Sequence, residues 1–147
     1  MHRPPSEPPA RSSELIRVLL VDADARVLAA LRDSVSAEPG LEVVGAVSGA
    51  AAALACAVEN APVVAVVDVV VQGDGSGLTL VHLLSQIPGC HVVAMSLRGG
   101  VQAASRVAGA SAFVAKGDGV ETILSVIREG PSRPDARRPV VRQDPRA

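Results

Sequence analysis

The chain has 147 residues, a formal net charge of −1, 48% hydrophobic residues and 1% aromatic residues. That length suits one domain with a core of Val, Leu, Ile and Ala. It offers no run near the ~20 apolar residues that a membrane span needs. The N-terminal MHRPPSEPPARSSE has no apolar core, so it does not read as a secretory signal, and a cytoplasmic protein is expected. Cys56 and Cys90 stand far apart and make neither a metal motif nor a disulfide framework.

Charge and proline divide the chain. Residues 15–129 carry seven basic and eleven acidic side chains, whereas residues 130–147 carry five Arg and two Asp. Four prolines fall in residues 1–14 and four in residues 130–147. The expectation is a disordered tail over 1–14, one globular unit over 15–129, and a disordered Arg/Pro-rich tail over 130–147.

Within the unit, Ile16-Arg17-Val18-Leu19-Leu20-Val21 predicts a buried strand ending at Asp22-Ala23-Asp24. Val27, Leu28, Leu31 and Val35 lie at helical spacing, and Glu38-Pro39-Gly40 breaks that helix. Leu41 to Val47 reads as a second strand. Ser48 is a candidate N-cap for an Ala-rich helix through Glu59. Val63 to Asp68 is an apolar run rich in β-branched residues, which fits a strand covered on both faces. A Gly-rich loop from Gln72 to Gly77 follows, then a helix carrying Leu78, Leu80, Val81, Leu84 and Ile87. His91 to Met95 makes a fourth strand closing on Ser96, and Gly99 to Ala108 is a weakly amphipathic segment. Ala112 to Ala115 is a short strand before Lys116, and Val120, Ile123, Leu124 and Ile127 form the apolar face of a last helix.

Five βα units in this rhythm predict an α/β fold: a flavodoxin-like, doubly wound five-stranded parallel sheet of order 2-1-3-4-5. Asp22 with Asp24, Asp68, Ser96 and Lys116 would then converge at the carboxyl edge, where such sheets place their sites. Lys116 is the only lysine among fourteen basic residues, and Phe113 is the only aromatic residue.

The pieces VLLVDAD, VVAVVD, VVAMS and GASAFVAK, in this order, resemble the receiver domains of two-component response regulators. The resemblance covers about Ile16 to Glu129. It implies that Asp68 accepts a phosphoryl group from a histidine kinase or phosphotransfer protein. Ser96 and Lys116 would bind phosphoryl oxygens, and Phe113 would be the switch aromatic. It also implies a magnesium ion held by Asp22, Asp68 and the backbone carbonyl of Val70. The function expected is phosphorelay signalling rather than enzymatic turnover. The signal would pass to a downstream protein through the face formed by residues 99–128, with homodimerisation left open.

Two departures qualify the resemblance. Ala23 stands where the family carries a second acidic residue, the usual direct metal ligand, so metal dependence should be weakened. Asp24 is the candidate stand-in. Gln72 replaces a usual proline, and the loop Gly73-Asp74-Gly75-Ser76-Gly77 is one residue longer than usual. A phosphorylation-independent pseudo-receiver, acting as an interaction module, is therefore the alternative. A small enzyme or nucleotide binder on the same sheet is a third reading. It is disfavoured because His2, His82 and His91 have no catalytic setting and no phosphate loop with Lys is present. No direct DNA binding is expected, because the eighteen residues after Glu129 cannot form a helix-turn-helix, and no membrane segment is expected, because no apolar run is long enough.

Overall fold

A computed structural model describes residues 15–70, 76–97 and 99–130. The expected tails over 1–14 and 130–147 lie outside the described residues except for Gly130, which is buried as the C-cap of α5; Gln72, Gly73, Asp74 and Gly75 of the Gly-rich loop also lie outside them.

Five strands, β1 (Ile16–Val21), β2 (Leu41–Val47), β3 (Val64–Asp68), β4 (His91–Ser96) and β5 (Ala112–Ala115), form one parallel sheet of order β2-β1-β3-β4-β5. The helices are α1 (Ala25–Ala37), α2 (Ala50–Asn60), α3 (Ser76–Ser85), α4 (Gln102–Ala108) and α5 (Val120–Glu129). This is the flavodoxin-like α/β architecture that the βα rhythm predicts. Parallel strands need crossovers, and helices on both faces bury the central strands most deeply, with the edge strand β2 largely half-buried. All five residues of β3 are buried.

Two apolar layers sandwich the sheet. On one face Val18, Leu20, Val66, Met95 and Val114 meet Leu31 and Val35 of α1 and Ile123, Leu124 and Ile127 of α5. On the other, Leu19, Val21, Ala65, Val67 and Ala94 meet Ala53 and Ala57 of α2 and Leu80, Val81 and Leu84 of α3. Phe113 packs half-buried against this second layer.

Local details depart from the sequence reading in three places. The N-cap of α2 is Gly49 rather than Ser48, and no side chain caps that helix. An uncapped start is tolerable because α2 is alanine-rich and needs little help to propagate. The weakly amphipathic segment 99–108 divides into a 3₁₀ turn, Gly99–Val101, and the seven-residue α4. Pairing of β1 with β2 slips between Val18 and Leu19, whose partners are Val43 and Gly45, so Val44 bulges out of register. Cys56 of α2 meets this bulge and donates from Sγ to the Val44 carbonyl at 3.6 Å. A Cβ at Gly45 would collide with the Cys56 sulfur unless that side chain turned away, so glycine lets α2 sit this close without a shift.

Candidate functional site: an acidic pair bridged by one lysine

Three strands end together at the carboxyl edge. Residue Asp22 follows β1, Asp68 closes β3 and Lys116 follows β5, which lies two strands from β3. The four-carbon lysine stem spans that gap. Lys116 Nζ lies 2.7 Å from Asp22 Oδ2 and 2.8 Å from Asp68 Oδ2. The Asp22 side chain is fully buried, and those of Asp68 and Lys116 are 9% and 12% exposed. A buried carboxylate pair without a cation would repel itself in a low-dielectric setting; one ammonium placed between them removes most of that cost.

The other oxygens are held by the backbone. The Asp24 N–H donates to Asp22 Oδ1 at 2.8 Å, and the Val70 N–H donates to Asp68 Oδ1 at 3.0 Å. Burial raises the Asp22 pKa, with the Lys116 and Asp24 hydrogen bonds acting against it. Burial works against the Lys116 ammonium too, but its hydrogen bonds to Asp22 and Asp68 outweigh this and raise its pKa.

Asp24 has a different occupation from the one the metal reading gives it. Its Oδ1 accepts from the N–H groups of Arg26 at 2.9 Å and Val27 at 3.3 Å, capping α1. Ala23 is exposed and has no donor atom to offer on its side chain. Among the described residues no group of three His, Cys, Asp or Glu side chains is arranged to hold a metal. Magnesium requires near-octahedral oxygen ligation. The donors on offer among the described residues are two carboxylates and the Val70 carbonyl, and they fit it poorly because each carboxylate already has one oxygen beside Lys116 and the other on a backbone N–H.

Ser96 is fully buried at the end of β4, immediately after Met95, which pairs with Asp68. It lies in register with Ala115, the residue before Lys116. Phe113 sits on β5, three residues before the lysine. Above the pair, a cavity of about 270 Å³ is lined by Asp68, Val70, Leu97 and Lys116, and it gives the Asp68 carboxylate an open approach.

Sequence reading placed Asp22, Asp68, Ser96 and Lys116 at this edge, and they do share it. It missed that Lys116 binds both carboxylates, that the Val70 N–H holds Asp68, and that Leu97 walls the cavity. Leu97 had one legible signal, a large apolar residue directly after a strand end, and it is 79% exposed. Gly77, the last residue of the Gly-rich loop in the sequence reading, is the second residue of α3. In the fold a Cβ there would collide with the Val69 backbone, so glycine lets the start of α3 pass over the end of β3.

No protein-family model matches the sequence, and no curated protein matches it. Solved structures do. Over 82% of its length the chain is similar to 99% of the response regulator domain of Thermotoga maritima CheB, at 24% identity and a TM-score of 0.73. A LuxR-family two-component response regulator from Aurantimonas matches at 24% identity and TM-score 0.73, covering 81% of this chain and 86% of that one. The isolated receiver domain of RcsB from Salmonella enterica, solved with the phosphomimetic BeF3−, matches at 19% identity and TM-score 0.69. These alignments cover 82% of this chain and 98% of the RcsB domain. The strand order, the carboxyl-edge site and these likenesses agree: the chain has the fold of response-regulator receiver domains.

Proposed function

We propose that this domain is a receiver-type signalling module in which Asp68 accepts a phosphoryl group. The observation that carries the reading is Asp68 itself: a strand-end carboxylate opening on a cavity, with an ammonium 2.8 Å from one oxygen. An Asp68 oxygen would attack phosphorus, forming the acyl phosphate P–O bond. The bond from phosphorus to the donor would break, its electron pair leaving with the donor's imidazole or carboxylate. Phosphoryl transfer depends on positioning and on neutralising the equatorial oxygens. Lys116 supplies a cation for one of these, and the Ser96 hydroxyl is the donor proposed for another. The donor would be a cytoplasmic histidine kinase or phosphotransfer protein. Phe113 would carry the change towards a partner surface built from residues 99–128. The chain would act as acceptor and signal carrier, not as an enzyme.

Acetyl phosphate followed by intact mass measurement tests this. Addition of one phosphoryl group to the wild type and none to Asp68→Asn is expected. Absence of the gain, or its survival in Asp68→Asn, sinks the reading.

A second reading, the phosphorylation-independent interaction module, is favoured by one observation. Three of the four oxygens of Asp22 and Asp68 accept hydrogen bonds within the protein, and the fourth, Asp22 Oδ2, is ion-paired with Lys116. It predicts that partner capture is unchanged in Asp68→Asn and Lys116→Ala. Loss of capture in both variants, with the fold intact, counts against it.

A further inference from the structure

We infer that Lys116 is the resident cation of this pocket and stands in the place of a divalent metal, so that the protein takes up none there. The inference concerns the pocket proposed above as phosphoacceptor, but it holds or fails whether or not phosphate is transferred.

Charge balance is the first support. Asp22 and Asp68 contribute two negative charges and Lys116 returns one, leaving −1 in a largely buried pocket. A divalent ion would turn that into +1, an excess as costly to bury as the deficit it replaced. A third carboxylate at position 23 would leave −2, which a divalent ion neutralises. The chain has Ala23 there.

Geometry is the second. Nζ sits within hydrogen-bond distance of both Oδ2 atoms, so it occupies the space between the carboxylates that a bridging ion would need. The Oδ1 atoms cannot be turned inward cheaply. Rotating Asp22 breaks the bond from the Asp24 N–H, and rotating Asp68 breaks the bond from the Val70 N–H. The third support is Asp24, whose cap on α1 keeps the nearest spare carboxylate at the helix terminus. Bringing it to a metal would uncap α1.

The test is a titration of the full chain with Mn²⁺, read by paramagnetic broadening of the amide signals of residues 22–24 and 68–70. Wild type, Ala23→Asp, Lys116→Met and Asp68→Asn are compared. The wild type is expected to show no site-specific broadening at about 10 mM, above the millimolar range of weak oxygen sites. Gain of saturable broadening in Ala23→Asp or Lys116→Met supports the inference. Circular dichroism checks the fold of Lys116→Met, and Ala23→Asp, altered at an exposed position, decides the matter if that variant unfolds. Saturable broadening in the wild type that disappears in Asp68→Asn overturns it. So does silence in both folded variants, because the lysine and the missing carboxylate would then not be what keeps metal out. Acetyl phosphate labelling is read separately, with Mg²⁺ and in EDTA: no gain under either condition removes the acceptor reading and leaves the Mn²⁺ result standing, whereas a gain with Mg²⁺ alone counts against the inference.

Discussion

The two faces of the sheet are built from different material. The α1–α5 face buries Leu31, Val35, Ile123, Leu124 and Ile127 and has one buried alanine, Ala112. The α2–α3 face buries five alanines, and its helix α2 approaches so closely that Cys56 lies directly against Gly45 of β2. Long side chains interdigitate and hold a helix at a set distance and rotation. Alanines hold it by backbone proximity alone, with fewer dispersion contacts for each residue. The one aromatic residue, Phe113, packs on the alanine face, and its strand β5 meets the seven-residue α4. Side-chain movement is easier to accommodate there than among the interlocked residues opposite.

The sharpest way to break this contrast is to remove bulk from the first face. Ile127→Ala, at a fully buried site, should cost about 2–5 kcal/mol, read as a lower urea midpoint. The carboxyl edge should fail next, at high pH. The Lys116 pKa is raised above its ordinary 10.5, so the folded state holds that proton more tightly than the unfolded chain. Its stabilisation is therefore complete below pH 10.5 and is lost as pH rises through the raised folded value. Deprotonation leaves Asp22 buried beside Asp68 without a cation, at a cost of about 3 kcal/mol. Thermal unfolding between pH 9 and 12 should show this limb in the wild type and a weaker one in Lys116→Met. Asp22 has the opposite consequence for acid. Its pKa is raised from 3.8, so the folded state gains protons first, and acidification through that window does not destabilise through Asp22.

The alanine face should break by addition. Ala57→Leu, fully buried, has no room to expand and should cost about 2 kcal/mol, with the helix pushed off Gly45. Asp24→Ala removes the α1 cap and should cost about 1 kcal/mol in urea melts. The smallest effect is a gain. Ala61 ends α2 in the left-handed region at φ 45°, so Ala61→Gly should stabilise by about 0.5 kcal/mol by the same measurement.

Strand order, the five βα units and the convergence of Asp22, Asp68, Ser96 and Lys116 were legible, because each rests on periodicity and topology. What the residue string hid was partnership. A lone Asp24 after a strand looks equally like a ligand or a cap, and only the following backbone decides between them. Lys116 could be assigned to one carboxylate from its position after β5. Its reach to two depends on the spacing of β1 and β3, which no local pattern encodes. The bulge at Val44 and the close approach at Gly45 depend on the sulfur of a helix that comes later in the chain.

Lys116 is the only lysine in a chain without tyrosine or tryptophan. The pocket therefore carries its own spectroscopic address. Lysine labelled with ¹³C and ¹⁵N would enter at one position, and its side-chain resonances would report on the acidic pair without mutation or probe. Amine-reactive reagents have two targets in this protein, the terminal amine and a lysine held by two carboxylates. Acylation at Lys116 thus becomes a clock for how often the pocket opens.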